Sequence, residues 1–256
     1  MSGCDDAASE QGATSPSVAV TESDPQDLRL EPNSGESGQH VRRVQNVGGE
    51  RAVVDVVSED DGMIELAAGP DGEPALRFPA FDGSASAPAA MVRVRPAGID
   101  WMSPGKDAFT FGVDVKLDEV SSGSTLDNGD NVVQRGLFDD DAQFKLQLDR
   151  RVPSCLIRGD QGTVMVKGPA GLDADGWYRI QCRRQGDAVT IAVARTSADG
   201  TEDAETSTST GSIGRVEFLS DVPMSVGGKI TSDGVPAAAT DQFNGLLSGV
   251  FFSVGR

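Results

Sequence analysis

The sequence predicts an all-β fold, a two-sheet antiparallel sandwich, and three observations carry that prediction. Phe109, Phe111, Val113, Val115 and Leu117 alternate with Thr110, Gly112, Asp114 and Lys116, the period of a strand with one face on a core. Short apolar runs recur along most of the chain, separated by Gly- and Asp-rich turns. No segment sustains the apolar spacing of an amphipathic helix.

One sandwich with a tail accounts for 256 residues, of which 31 are Gly and 38% are hydrophobic. Residues 5–40 are mainly Ser, Gly, Asp, Glu, Gln, Thr and Pro. Such a stretch buries too little apolar surface to offset the entropy of ordering. Residues 1–40 are therefore expected to be a disordered tether, and residues 41–256 the folded domain. Val53, Val54, Val56 and Val57 form the first β-rich run. Met63-Ile64-Glu65-Leu66 is the next, closed by the turn Gly69-Pro70-Asp71-Gly72. Ala75-Leu76-Arg77-Phe78-Pro79 follows, then a Gly/Ser/Ala/Pro loop, then Met91, Val92 and Val94. Beyond the alternating run at 109–117 come runs at 132–134, 143–148, 155–158, 163–166, 177–183 and 189–194. A polar loop is expected over 196–212, and runs at 216–218, 224–227 and 246–254 complete the set.

Composition narrows the function. The chain carries 22 basic and 40 acidic side chains, a net charge of −18. That surface repels phosphate backbones and anionic lipid, so no nucleic acid is expected as a partner. The one histidine, His40, falls at the edge of the expected tether. Ser–His–Asp and Cys–His catalysis therefore lack their base, and histidine-ligated metal hydrolysis lacks its ligands. No GxGxxG or phosphate-binding loop pattern is present, so no organic cofactor is expected. Glycoside hydrolysis needs only two carboxylates on one cleft. The nearest carboxylate alternation, Asp114 to Asp118, includes Lys116 and reads as the solvent face of a strand.

Cys155 and Cys182 each sit in a strand-like run, with Trp177 just before the second. Pairing them staples two strands face to face; two buried free thiols are the alternative. Without a CxxC spacing or a neighbouring histidine they do not read as a zinc site. The third cysteine, Cys4, follows Met1-Ser2-Gly3 and is similar to the cut end of a bacterial lipoprotein signal, where the cysteine receives lipid. A chance cysteine in a tail is the alternative. No apolar run is long enough to span a bilayer, so a lipid on Cys4 is the expected route to a membrane. The expected location is extracytoplasmic: secreted, or lipid-anchored to the outer face of the cytoplasmic membrane.

Several strings are family-like in their order. They include Ala75-Leu76-Arg77-Phe78-Pro79, Asn131-Val132-Val133-Gln134-Arg135-Gly136, and Gln143-Phe144-Lys145-Leu146-Gln147-Leu148. Pro153-Ser154-Cys155, Gly176 to Arg184, Met224 to Lys229 and Asp241-Gln242-Phe243-Asn244-Gly245 continue the series. Together they resemble the laminin-G-like domains of actinobacterial secreted proteins, in the concanavalin A-like lectin/glucanase superfamily. The resemblance implies a jelly roll over residues 50–256. The chain has Trp177-Tyr178 where the family usually has Trp-His, and Asn244-Gly245 where it has His-Gly.

The resemblance also implies a Ca²⁺ at one rim of the sandwich, held by carboxylates and carbonyls. Asp127 and Asp130, in one glycine-containing turn, are preferred to Asp139-Asp140-Asp141 at the far end of the intervening strand; solvated acidic turns are the alternative. Trp101 and Trp177 are candidate ligand-binding surfaces for sugar, against rim and core packing. Arg150-Arg151 and Arg183-Arg184 are basic spots able to grip acidic glycans or simply to balance charge. The expected function is a non-catalytic binding module for a cell-wall or extracellular glycan, or for a protein of the cell envelope. A divergent glycoside hydrolase or lyase and a ligand-free structural module are the alternatives.

Overall fold

Where apolar residues alternate, the chain forms strands, and their apolar faces meet in one core. The computed structural model describes residues 26–70, 72–80, 86–118, 130–219, 222–231, 233–237 and 241–255. Strands are numbered in chain order. The first sheet runs β14 (Gly200–Thr201), β13 (Ala188–Ser197), β12 (Trp177–Gln185), β7 (Phe109–Leu117), β17 (Gly245–Val254), β1 (Leu28–Pro32) and β2 (Val44–Asn46). Beside this path, β15 (Glu205–Thr210) pairs with β13, β5 (Pro74–Arg77) with β17, and β4 (Glu65–Ala68) with β5, making ten strands. The second sheet has seven. Its order is β11 (Gly162–Lys167), β10 (Val152–Gly159), β9 (Gln143–Asp149), β8 (Asp130–Arg135), β16 (Met224–Val226), β6 (Ala89–Pro96) and β3 (Ala52–Glu59). All pairings are antiparallel, and no helix occurs among the described residues. The fold is the two-sheet antiparallel jelly-roll sandwich that the sequence predicts.

Rings fill the centre. Phe111 on β7 meets Phe144 on β9 across the sandwich at 4.9 Å between centroids, and Phe252 on β17 meets Phe144 at 5.3 Å. Aromatic pairs at these distances stabilise beyond the area they bury. Beside this cluster Cys155 of β10 and Cys182 of β12 form a disulfide, with Cα atoms 5.9 Å apart and both residues fully buried. The bridge thus joins the two sheets, as the sequence suggests. Cys155 sits between Leu146 and Val166, Cys182 between Phe111 and Ile191.

Three parts differ from the expectation. The tether was expected to reach residue 40, but β1 begins at Leu28, and residues 26–40 belong to the sandwich. Leu28, Leu30 and Pro32 are the alternate buried positions there, too short a pattern to stand out among polar neighbours. The polar loop expected over 196–212 contains β14 and β15; β15 is an edge strand with no apolar face, so period two cannot mark it. The run at 216–218 contributes only an isolated bridge, Val216 to Gly105. Cys4 and Asp127 lie outside the described residues.

The sandwich has two poles. At one, Arg135 is wholly buried and grips Asp100 with Nη1–Oδ1 at 2.8 Å and Nη2–Oδ2 at 2.9 Å. Its Nε donates to the Val222 carbonyl at 3.1 Å, and the guanidinium lies 4.3 Å from the Phe218 ring centroid. Arg184, also buried, donates to the carbonyls of Gly186, Gly105 and Gly214 and ties the loops there together. Burial lowers its pKa from the usual value, with Asp187, Asp107 and Asp160 pulling the other way. Trp177, Asp130 and the hairpin turn Arg150-Arg151 lie at the other pole.

Candidate functional site

The outward face of the ten-stranded sheet is built by strand parity. On β12, Ile180, Cys182 and Arg184 are buried on the inner side, so Trp177, Arg179, Gln181 and Arg183 point outward. On β7 the outward set is Thr110, Gly112, Asp114 and Lys116. Register places Arg179 opposite Asp114 and Arg183 opposite Thr110. The floor they form sinks into two adjoining depressions. The central one, about 390 Å³, lies over β1, β17, β7, β12 and β13. The other, about 510 Å³, opens at the Trp177 pole and is lined by Trp177, Lys116, Arg77 and Asp118.

An ion pair lies in the central depression. Arg179 donates through Nε to Asp114 Oδ1 at 2.8 Å and through Nη2 to Oδ2 at 2.9 Å, a bidentate fork. Asp114 is only 5% exposed although it faces outward, which measures the depth of the floor. On its other side stands Ser248 of β17, whose hydroxyl donates to the Pro74 carbonyl at 2.9 Å. A bulge follows between Ser248 and Phe251 and carries Gly249 at φ 57°, a conformation glycine adopts without strain. After it, the Phe251 ring lies across Gly112, where a Cβ would come within 2.7 Å of the ring. The lack of a side chain at Gly112 thus makes room for the buried Phe251 ring.

The candidate residues distribute as follows. Trp177 is half-buried on the outer face, on the side of β12 away from Cys182, so its ring borders the groove. Trp101 lies at the opposite pole. Its ring packs 6.1 Å from Phe252, and its indole N–H donates to the Arg51 carbonyl at 3.1 Å. The two tryptophans therefore share no site. Asp130 is buried, and its Oδ1 accepts from the backbone and side-chain N–H groups of Asn244, both at 3.3 Å. Asp139-Asp140-Asp141 stand at the other end of β8. Among the described residues no group of three His, Cys, Asp or Glu is placed to hold a metal ion. Arg183 and Arg184 point to opposite faces, one exposed at the groove and one buried. Arg150 and Arg151 both adopt left-handed φ, 50° and 69°, in a two-residue hairpin turn.

The sequence pattern marks Trp177 but not the Asp114–Arg179 pair. Those residues are 65 positions apart, and only the β7–β12 register brings them together. The outward direction of Asp114 was legible; its partner was not.

No protein-family model matches the sequence, and neither does any curated protein. Solved structures do match in shape. The binding domain of Paraclostridial Mosquitocidal Protein 1 is similar with a TM-score of 0.58 at 9% identity, over 91% of this chain and 50% of that one. The botulinum neurotoxin serotype G binding domain gives 0.56 at 9% identity, over 90% and 48%. The binding domain of botulinum neurotoxin DC in complex with rat synaptotagmin II gives 0.50 at 8% identity, over 90% and 48%. The chain spans about half the length of the binding domains it matches, and at such identity the likeness is one of fold: an antiparallel β-sandwich.

Proposed function

We propose that this chain is a non-catalytic binding module that takes a glycan in the groove on the outer face of its ten-stranded sheet. The observation that carries the reading is the groove itself. An indole ring stands at one end, and the forked donor Arg179 and the amide of Gln181 line the floor beyond it. Rings to stack on and planar donors to orient hydroxyls are what sugar recognition needs. Asp114, the carboxylate on the outer face of β7, is clamped by Arg179, which supports a binding role for it and not a catalytic one. The laminin-G-like strings and the use of this sandwich in toxin binding domains agree with a recognition role. The buried bridge supports folding in an oxidising, extracytoplasmic space, and lipidation of Cys4 would hold the chain at a membrane.

Replacing Trp177 by alanine weakens glycan binding by about tenfold or more, because a stacked ring is worth on the order of 1–2 kcal/mol. Affinity electrophoresis against a glycan panel, with Trp101→Phe as the control, checks this. Equal retardation of wild type and Trp177→Ala contradicts the groove reading. Melting with Ca²⁺ and with EDTA tests whether Asp130, with Asp127, holds a cation.

A protein partner is the second reading, and one observation favours it. Ile99, Phe138 and Leu219 are 88%, 76% and 77% exposed and stand on three separate loops at the Arg135 pole. A partner docked there would be lost on changing Phe138 to serine while glycan binding in the groove stayed intact.

A further inference from the structure

We infer that this chain pairs with a second copy of itself along the free edge of β3, which joins two seven-stranded sheets into one. The last strand of an open sheet leaves one row of N–H and C=O groups unpaired, and such an edge invites another chain unless it is short, charged, kinked or covered. The other edges here carry such safeguards. β2 has three residues and β14 two. β15 presents only Glu, Thr and Ser, and β11 carries Lys167 on its exposed face. β4 is covered by 38–41, where the Gly38 and Val41 N–H groups donate to the Leu66 and Ile64 carbonyls and Leu66 N–H donates to Gln39. β3 differs. It has eight residues, five of them Ala or Val, with no Lys, Arg, Pro or Gly, and its pairing to β6 runs in unbroken register. It ends its sheet, and apart from the turn that follows Glu59 no described segment bonds its far side. Val53 stands 47% exposed on it.

The sequence of β3 fits its own reverse, which selects a second copy as the occupant. Val54 and Val56 pack toward the core opposite Val94 and Val92, so Val53, Asp55 and Val57 lie on the outer side. A two-fold axis normal to the sheet keeps inner and outer faces matched across the junction. Two registers then pair seven residues of each strand. With the axis at Asp55, two carboxylates face each other. With the axis at Val56, Asp55 lies opposite Val57 of the second copy, Glu59 opposite Val53, Val54 opposite Ser58, and Val56 opposite itself. No carboxylate then meets another, and Asp55 keeps its own cations, Arg93 at 2.6 Å and Arg95 at 3.1 Å. The same axis sets both ten-stranded sheets on one side of the pair, so their outer grooves face the same way. The pairing itself does not rest on what those grooves bind.

The test is sedimentation velocity of the full chain across a range of protein and salt concentration. A monomer–dimer equilibrium is expected, tightened by salt because each copy carries a net charge of −18. Charge at position 57 reads the register. Val57→Glu sets a carboxylate opposite Asp55 on both sides of the axis, whereas Val57→Lys sets a cation there. The lysine variant should therefore dimerise at least about tenfold more tightly than the glutamate variant. Val57 is half-buried, so Val53→Glu and Val53→Lys repeat the comparison at an exposed position, opposite Glu59, with circular dichroism to confirm that each variant is folded. The lysine variant should again be the tighter. A wild type that stays monomeric at every protein and salt concentration overturns the pairing. A dimer that the glutamate and lysine variants weaken equally, or leave unchanged, overturns its assignment to this edge.

Discussion

Replacing Arg135 by methionine is expected to destabilise the fold by about 3–5 kcal/mol, the cost of breaking a buried ion pair from one side. Arg135 is 0% exposed, and each of its three side-chain nitrogens donates: two bonds go to Asp100 and one to the Val222 carbonyl, while its face lies on Phe218. Methionine keeps much of the volume and none of the charge. The Asp100 side chain, 20% exposed, then keeps the Ser103 hydroxyl at 2.7 Å as its side-chain donor among the described residues. That hydroxyl also accepts from the Phe218 backbone N–H at 3.0 Å, so the loops bearing Ile99 and Leu219 lose a common anchor. Adding Asp100→Asn should recover about 1–2 kcal/mol, because the uncompensated charge is removed. Urea unfolding of both variants measures this. A loss under about 1 kcal/mol for the single variant, or no recovery in the double, contradicts the network described.

Removing the bridge between Cys155 and Cys182 should lower stability by about 3.5 kcal/mol on chain-entropy grounds, from the 27-residue separation. For a domain of this size the corresponding fall in Tm is roughly 10 °C. The bridge also ties sheet to sheet rather than neighbour to neighbour, so its loss loosens the contact between β10 and β12. Both sulfurs are shut off from solvent. Reductant should therefore act slowly on the native protein and quickly once denaturant parts the sheets. Differential scanning calorimetry with and without reductant, beside a Cys155→Ala/Cys182→Ala variant, reads both effects. Reduction as fast in buffer as in denaturant would contradict the buried placement, and an unchanged Tm for the double variant would contradict the stabilising role.

Much of this fold is written in alternation. The run from Phe109 to Leu117 was expected as a strand with one buried face and is β7 residue for residue. Such strands announce themselves because the core demands an apolar residue at every second position. β1 did not, because its alternation spans five residues, Leu28 to Pro32, between polar stretches. β15, all Glu, Thr and Ser, is held by backbone pairing to β13 and has no face to reveal it. The groove was half legible. Trp177 and Cys182 are five positions apart on one strand, so parity alone sets them on opposite faces. The same parity separates Arg183 from Arg184, which composition had joined into one basic spot. The pairing of Asp114 with Arg179 needed the register between distant strands, which no local pattern carries.

The chain has two tryptophans, one in the groove and one at the far pole, and their indole N–H resonances report on the two places separately. A titration of isotope-labelled protein with a glycan that the affinity panel retains, followed by heteronuclear NMR, tests the placement of the ligand site most directly. The Trp177 indole signal and the amides of β7 and β12 should shift together and saturate at one concentration, while the Trp101 signal, held by the Arg51 carbonyl, stays in place. Movement of Trp101 with Trp177 unmoved, or shifts confined to the seven-stranded sheet, would contradict the account.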